Sequence, residues 1–198
     1  MKNFSIVRCI FSALLVFLSA AANLNAAPDA AAGERKAATC SACHGIGGNS
    51  TNAVYPSLAA QTPLYTYYQL LQFREGRRVN DQMSPMAANL TDADMKDIAA
   101  YYSSQKLLPN VTAIDTARIE AGKLVAARNH CGSCHLPSYA GQNHIPRLAG
   151  LQFDYLLTQL SGFKTGERQD IDGSMASAAQ PLSNSDMTNI AGYLASLK

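Results

Sequence analysis

The sequence predicts an all-α fold in which two helical domains of similar size follow each other along the chain. Three observations support this prediction. The second half repeats the pattern of the first at a spacing of about 90 residues, which indicates two copies of one unit. Apolar residues recur at helical spacing between Gly and Pro residues, and no stretch shows the alternation expected of a strand. We expect an N-terminal domain over residues 28–108, a linker over 109–115 and a C-terminal domain over 116–198.

The repeat keeps its register over most of each half. Pro56 and Pro146 begin matching P-x-L-A segments that lie 90 residues apart, and at this spacing Leu151 stands where the first half has Gln61. Further pairs at the same spacing are Tyr65/Tyr155, Gln69/Gln159, Phe73/Phe163, Gly76/Gly166 and Arg78/Arg168. Near the end of each half the spacing becomes 92. Because loops tolerate insertions, we expect two additional residues in a loop of the second half.

The first 27 residues are predicted to be a signal peptide rather than part of the fold. Lys2 and Arg8 flank the start of an apolar run, and Asn25-Ala26-Ala27 provides small residues for cleavage after Ala26 or Ala27. The apolar run is shorter than the roughly 18 residues that a membrane-spanning helix requires, which makes an uncleaved anchor the less favoured interpretation. The segment therefore predicts export from the cytoplasm.

Each domain is predicted to contain three main helices. The first helix is expected over roughly 30–43 in one half and 116–134 in the other. The second helix is expected to begin with Thr62 as its N-cap and a proline at its first helical position, and to stop at Gly76. Its counterpart in the second half is expected to stop at Gly166.

The last helix of each domain carries a capping signal. Thr91 lies three residues before Asp94, and Ser183 lies three residues before Asp186, which is the spacing of a capping box with Asp in place of Glu. We also expect the first and last helices of each domain to cross closely at a glycine. These crossings would pair Gly33 with Tyr101 and Gly122 with Tyr193.

Two copies of the motif C-x-x-C-H carry the chemistry of this chain, at residues 40–44 and 131–135. On a helical turn, cysteines three positions apart share one side, so each sulfur can bond one vinyl group of a porphyrin. The adjacent histidine, His44 or His135, then reaches the iron. The motifs predict two covalently bound haem c groups, each at the centre of one domain. Their thioether bonds would come from Cys40, Cys43, Cys131 and Cys134.

The second axial ligand of each iron is expected to be a methionine. Met83 lies 39 residues after His44, and Met175 lies 40 residues after His135, each in a predicted loop before the last helix. A thioether sulfur favours ferrous iron, and His/Met ligation raises the reduction potential. Met175 is the only methionine between His135 and the last helix. In the first half Met86 competes with Met83, but the repeat aligns Met86 with an alanine.

Other residues are expected to contact the axial histidines or the haem propionates rather than the iron itself. The backbone carbonyls of Pro56 and Pro146 are candidates to accept a hydrogen bond from the free ring N–H of His44 and His135. Three arginines are candidates for pairing with haem propionates, with an exposed position as the equal alternative: Arg78, Arg147 and Arg168. Two further histidines are expected to lie at the surface rather than bind iron: His130 and His144.

Charge and cysteine usage exclude several other classes of protein. Without Lys2 and Arg8, 14 basic residues face 14 acidic ones, so no basic excess supports nucleic-acid binding. Apart from Cys9, every cysteine lies in a C-x-x-C-H motif, which leaves none for a structural disulfide. A zinc site would need four ligands brought together, and a thioredoxin-like dithiol needs a βαβ context that the sequence lacks.

With these features together, the chain resembles the dihaem cytochrome c4 family. The resemblance rests on the signal peptide, the two C-x-x-C-H motifs, the P-x-L-A segments, and Met83 and Met175, and it covers essentially the whole mature chain. It implies two class-I cytochrome c domains related by a pseudo-twofold axis, with the propionate edges of the haems facing across the interface. It also implies a periplasmic electron carrier that serves a respiratory chain and often associates with the inner membrane.

The leading functional hypothesis is electron transfer without substrate chemistry, so the protein is not expected to be an enzyme. It would carry electrons between respiratory donors and a terminal oxidase through two six-coordinate His/Met haems, which leave no open position for a substrate. One alternative is a haem subunit docked to a periplasmic dehydrogenase, which would need the same internal chemistry. The other is a dihaem peroxidase, which needs one iron with an open position and is disfavoured by a matching methionine in each half.

Overall fold

The computed structural model describes residues 27–110 and 112–198, and over these residues the prediction of an all-α fold is confirmed. One isolated antiparallel bridge joins Gln142 and Ile145. The helices of the first half are α1 Ala30–Lys36, α2 Ser41–His44, α3 Pro63–Arg74, α4 Met83–Ala87 and α5 Asp92–Ser104. Those of the second half are α6 Thr116–Arg128, α7 Cys131–His135, α8 Phe153–Thr165, α9 Ser174–Ala179 and α10 Asn184–Ser196. The predicted signal peptide, except Ala27, lies outside the described residues.

The two halves have the same order of helices, but they differ in how the first helix reaches the C-x-x-C-H motif. In the first half a 3-10 turn over Ala37–Cys40 separates α1 from α2. In the second half α6 ends at Arg128, where the side chain of Asn129 donates to the carbonyl of Val125 at 2.8 Å. His130 then adopts a left-handed conformation with φ 55°. In the first half the predicted helix is confirmed as a continuous helical segment with a 3-10 stretch that includes Cys40. In the second half the left-handed residue separates α6 from the motif turn α7, so the prediction of one continuous helix was wrong there.

The first and last helices of each half cross at a glycine, as the sequence predicts. A Cβ atom on Gly33 of α1 would lie 2.0 Å from the carbonyl oxygen of Asp97 in α5. A Cβ atom on Gly122 of α6 would lie 1.9 Å from the carbonyl oxygen of Asn189 in α10. Since these distances are far inside van der Waals contact, only glycine lets the two backbones approach this closely. The crossing fixes the helix that precedes each motif against the last helix.

The second and last helices differ in whether the N-cap side chain bonds the helix backbone. Both predicted capping boxes form: the backbone N–H of Asp94 donates to Thr91 Oγ1 at 3.1 Å, and that of Asp186 donates to Ser183 Oγ at 3.0 Å. Thr62 occupies the N-cap position of α3, but its side chain makes no cap hydrogen bond. Its hydroxyl instead donates to a carbonyl of the other half at 3.5 Å. The predicted N-cap position of Thr62 is therefore confirmed, but its hydroxyl faces the second domain instead of bonding a backbone N–H of the helix.

The hydrophobic core differs between the two halves. The cluster of buried side chains in the second half contains twelve residues, five of which lie in α10. The cluster of the first half contains three: Ala37, Ile98 and Tyr102. Other buried apolar side chains of the first half lie outside this cluster, namely Ala59, Phe73, Ala87, Met95 and Ala99. The first half therefore holds its apolar side chains in less continuous contact.

A buried polar interface joins the two halves through two glutamines. Gln61 Oε1 accepts the backbone N–H of Arg147 at 2.7 Å, and its Nε2 donates to the Arg147 carbonyl at 3.1 Å. In the opposite direction, Gln152 Oε1 accepts the backbone N–H of Ser57 at 2.9 Å. Leu151, which the repeat aligns with Gln61, packs into the second core with 3% exposure. The amide contact is thus shifted by one residue in the second half.

The part of the chain that the structure describes contains no helix long and apolar enough to span a bilayer.

Lowering the pH is expected to weaken the ion pairs that Lys36 of α1 makes with two aspartates of α5. Its ammonium group lies 2.7 Å from a carboxylate oxygen of both Asp94 and Asp97, holds the pKa of Asp94 at about 2 and lowers the pKa of Asp97. A carboxyl with a lowered folded-state pKa stabilises the fold above its unfolded value near 4 and loses that contribution as the pH falls through its folded value. The stability deficit of Lys36→Met should therefore be constant down to about pH 4 and shrink toward pH 2, as followed by urea unfolding.

The second half supplies a matched control for this prediction. Arg128 of α6 contacts Asp186 of α10, the counterpart of Asp94, at 3.1 Å, but the Arg128 side chain is 68% exposed. Exposed ion pairs contribute little to stability because water screens them. Arg128→Met should therefore cost less than Lys36→Met at neutral pH. An equal or larger loss in Arg128→Met would contradict the assignment.

Candidate haem sites

The four cysteines of the two motifs are arranged in matching pairs. Cys40 and Cys131 are half-buried, whereas Cys43 and Cys134 are exposed, and none of the four forms a disulfide within the described residues. Burial raises the pKa of the Cys40 and Cys131 thiols. In each half one inner and one outer sulfur therefore lie on the same turn as the motif histidine. This is the set of groups that two thioether bonds to a porphyrin require.

The two motif histidines are buried and oriented in the same way. His44 Nδ1 lies 2.8 Å from the carbonyl oxygen of Pro56, and His135 Nδ1 lies 2.9 Å from that of Pro146. Because a carbonyl can only accept, Nδ1 must be the protonated nitrogen, and the lone pair of Nε2 is left for a metal. Burial lowers the pKa of both imidazoles and outweighs the opposite effect of the carbonyl. Burial therefore favours the neutral form of both rings, which is the form that can bind a metal.

The two candidate methionines occupy matching places, but in short helices rather than in the predicted loops. Met83 opens α4, where Asn80 Oδ1 accepts its backbone N–H at 2.9 Å. Met175 lies in the first turn of α9, where Asp170 Oδ2 accepts its backbone N–H at 2.7 Å. These side-chain acceptors satisfy the first N–H groups of each helix and so allow it to form. Met83 and Met175 are half-buried, whereas Met86 is 48% exposed.

Arg78 and Arg168 meet between the two domains. The Arg78 guanidinium donates to Gln159 Oε1 at 2.8 Å, and that of Arg168 donates to the same oxygen at 2.6 Å and to the Tyr65 hydroxyl at 3.0 Å. Within residues 27–110 and 112–198 neither pairs with a carboxylate, and the Nε of Arg168 is buried without a hydrogen-bond partner. The family resemblance implies that the haem propionates lie at this interface. Two cationic side chains there could pair with the propionates, so the residues present fit a bound haem.

Arg147 has a different environment from the one expected. It is 4% exposed, and its guanidinium reaches into the first domain to donate to the carbonyls of Ser57 and Ala59 at 3.0 Å each. Burial lowers its pKa to about 10, so it remains charged at neutral pH. The exposed position that was the alternative prediction for Arg147 is therefore wrong. Its contacts are with backbone carbonyls of the interface. His130 and His144 are both exposed, as expected.

Sequence reasoning missed Gln61 and Gln152 as functional candidates. The available signal was a glutamine immediately before or at the start of the second helix in each half, 91 residues apart. At the repeat spacing of 90, Gln61 aligns with Leu151 and not with Gln152. The structure brings them together with the segments that follow Pro56 and Pro146.

Comparison with known proteins gives a consistent result. A family model described as cytochrome c matches residues 30–106 and 119–198. Cytochrome c4 of Pseudomonas aeruginosa is 39% identical over 194 residues, which cover 93% of this chain and 96% of that protein. The crystal structure of reduced recombinant cytochrome c4 from Pseudomonas stutzeri matches with a TM-score of 0.80 and 34% identity, over 87% of this chain and 100% of that one.

A larger protein shares the same fold over part of its length. A thiosulfate dehydrogenase structure from Marichromatium purpuratum matches with a TM-score of 0.76 and 28% identity. The match covers 85% of this chain and 40% of that chain. A unit of this architecture therefore also occurs inside a longer polypeptide.

Proposed function

Because the chain belongs to the cytochrome c4 family and carries two covalent haem c groups, we propose that it is a periplasmic carrier of electrons between respiratory donors and a terminal oxidase. The observation that carries the proposal is the matching set of potential ligands in the two halves. His44 and His135 each present a free Nε2, and Met83 and Met175 each lie in the first turn of a short helix at matching places of the repeat. With both irons six-coordinate, neither would bind a substrate.

The residues of this chain contribute orientation and charge compensation rather than chemistry. The bound haem supplies one-electron exchange between ferric and ferrous iron. The carbonyls of Pro56 and Pro146 hold the two imidazole rings in a fixed orientation. Arg78 and Arg168 would compensate propionate charge at the interface, which keeps both centres in one rigid unit. An arrangement that is fixed before electron transfer needs little rearrangement afterwards.

Replacement of the proposed methionine ligands tests this function. In Met83→Ala and in Met175→Ala, the red absorption band of ferric haem with a methionine sulfur ligand should lose about half of its intensity, since one of two centres is changed. The midpoint potential of the affected haem should fall, within the roughly 0.8 V range that axial ligands span. Optical spectra and spectroelectrochemical titration of the purified protein measure both effects.

Met86→Ala is the matched control because Met86 lies in the same helix as Met83 but is 48% exposed. It should leave the band and both potentials unchanged. A loss of the band in Met86→Ala, with no loss in Met83→Ala, would transfer the ligand assignment to Met86. Turnover of hydrogen peroxide by the unmodified protein with a reduced donor would favour the peroxidase alternative.

A second candidate function is a haem subunit that receives electrons directly from a periplasmic dehydrogenase. The similarity to part of a thiosulfate dehydrogenase chain favours it. In that case the protein should purify from its own cells in a stable complex with the dehydrogenase, and thiosulfate or a comparable donor substrate should reduce the haems only in that complex. Purification as a free monomer that a respiratory donor reduces would support the carrier instead.

The partners expected for the carrier are redox proteins at the outer surface of the inner membrane. Respiratory donors and a terminal oxidase both act there, and peripheral association with that membrane would bring the carrier close to them. Cell fractionation tests this location: the haem-containing protein should be released with the periplasmic fraction or by a salt wash of membranes. Retention through a salt wash would instead indicate a stable membrane complex.

A further inference from the structure

In each domain, the peptide group whose carbonyl accepts from the motif histidine also donates its N–H to a side chain of the other domain. The peptide that links Pro146 to Arg147 accepts the Nδ1–H of His135 at its carbonyl, at 2.9 Å. Its N–H donates to Gln61 Oε1 at 2.7 Å, and Gln61 belongs to the other domain. A chain of hydrogen bonds therefore runs from an imidazole of the second domain, through a single amide, to a side chain of the first.

The same arrangement occurs in the opposite direction. The peptide that links Pro56 to Ser57 accepts the Nδ1–H of His44 at 2.8 Å, and its N–H donates to Gln152 Oε1 at 2.9 Å. Gln152 belongs to the second domain. Both glutamines are 4% exposed, and so the outer ends of the two chains are shielded from water. Two chains of hydrogen bonds thus cross the interface between the domains. Each begins at a histidine of one domain and ends at a glutamine of the other.

Each glutamine is held so that its oxygen faces the peptide N–H. Gln61 Nε2 donates to the Arg147 carbonyl at 3.1 Å, and Gln61 Oε1 also accepts the N–H of Thr62 at 3.0 Å. Gln152 Nε2 donates to Ser57 Oγ at 2.8 Å. Since the amide N–H₂ groups have their own acceptors, the reverse orientation would set donors against donors. The carboxamide oxygens are therefore fixed as the acceptors.

Hydrogen bonds on the two sides of one amide strengthen each other. An acceptor at the peptide N–H increases the negative charge on the carbonyl oxygen, and in a buried site this effect is little screened. The carbonyl then accepts more strongly from the histidine Nδ1–H, which makes the imidazole a more basic ligand. A more basic ligand stabilises ferric iron over ferrous iron. The reduction potential of that centre therefore falls.

We propose that Gln61 and Gln152 are positioning residues that lower the reduction potential of the haem in the opposite domain, each acting through the peptide that accepts from the axial histidine. Gln61 acts on the centre of His135, and Gln152 acts on the centre of His44. The proposal rests on the proposed ligation by these two histidines. It gives the domain interface a function in setting the two potentials, in addition to holding the halves together.

Leucine variants of the two glutamines test the crossed assignment. In Gln61→Leu the ferric-to-ferrous equilibrium constant of the C-terminal haem should change by up to tenfold toward ferrous, a rise of up to about 59 mV for one electron. The N-terminal haem should stay unchanged, and Gln152→Leu should show the reverse pattern. Redox titration followed by NMR of the individual haem resonances measures the two potentials separately.

A second readout follows the hydrogen bond itself. In the reduced protein with labelled histidine, the Nδ1–H proton of His135 should move to lower chemical shift in Gln61→Leu, and that of His44 should move in Gln152→Leu. Gln61→Glu and Gln152→Glu retain an acceptor oxygen and should not raise the potential of the opposite haem. Recovery in the Glu variants separates an effect of the acceptor from a general loss of packing.

Asn110→Ala provides the control for loss of a carboxamide that contacts the second domain elsewhere. Asn110 Nδ2 donates to the Leu151 carbonyl at 3.2 Å, away from both peptides, and its removal should leave both potentials unchanged. A shift of both haems together, or of the haem in the same domain as the changed glutamine, would overturn the crossed assignment. Absence of the haem ring-current shift from the ring protons of His44 or His135 would instead refute the proposed ligation.

Discussion

Gly122→Ala is expected to destabilise the C-terminal domain by about 2 kcal/mol or more. A methyl group at this position would lie 1.9 Å from the carbonyl oxygen of Asn189 and 2.7 Å from the Cβ of Tyr193, so α6 and α10 must move apart. Overpacking of this kind costs about 1–3 kcal/mol, and the upper end applies because the obstacle is helix backbone. The better helix propensity of alanine returns only about 1 kcal/mol. Chemical unfolding followed by circular dichroism measures the difference.

The same substitution at Gly33 should have a comparable effect on the N-terminal domain, since its methyl group would lie 2.0 Å from the Asp97 carbonyl oxygen. Gly162 of α8 is the matched control. It is also a buried helical glycine, but its nearest obstacle is the Arg168 Cβ at 3.3 Å. Gly162→Ala should therefore change stability by less than about 1 kcal/mol. Equal losses in all three variants would show that helix crossing is not the cause.

Removal of one haem is expected to unfold more of the N-terminal domain than of the C-terminal domain. The connected apolar cluster of the first half contains only Ala37, Ile98 and Tyr102, whereas that of the second half contains twelve residues. A porphyrin that joins otherwise separate buried side chains contributes a larger share of the smaller core. The double variant Cys40→Ala/Cys43→Ala should therefore lose most of the helical signal of its domain.

The matched comparison is the double variant Cys131→Ala/Cys134→Ala. It removes the same bonds from the second half and should keep a larger part of its helices. Circular dichroism gives the total loss, and hydrogen exchange measured peptide by peptide assigns it to α1–α5 or α6–α10. A haem assay should give one haem per chain in each variant. Greater loss in the second half would contradict the importance of core size.

Much of the fold and the histidine side of the site could be predicted because the relevant signals are local. The capping boxes at Thr91 and Ser183 need only four consecutive residues, and both form. The close approach at Gly33 follows from helical spacing and a residue without a side chain. The contact between His44 and Pro56 needs a short loop after the motif. In each case the interacting groups lie close in sequence, or the repeat supplies a second example.

The features that could not be predicted depend on contacts between the domains. Gln61 lies 86 residues from Arg147, and Gln152 lies 95 residues from Ser57, so neither sequence segment indicates its partner. Thr62 has the residue type and position of an N-cap, but a carbonyl of the other domain takes its hydroxyl. Burial of the Arg147 guanidinium also requires the opposite surface, whose carbonyls satisfy it. Where the two halves meet, contacts between the domains therefore outweigh the local preferences of residues such as Thr62 and Arg147.

The contact of Arg147 with Ser57 has a consequence for the history of this chain. The two residues occupy the same place in the repeat, yet one is a long cation and the other a small hydroxyl. If the halves arose by gene duplication, their copies have since become complementary. A chimera of two first halves would lack the donor that satisfies these carbonyls, and a chimera of two second halves would bring two buried cations together. The halves can therefore no longer be exchanged for one another.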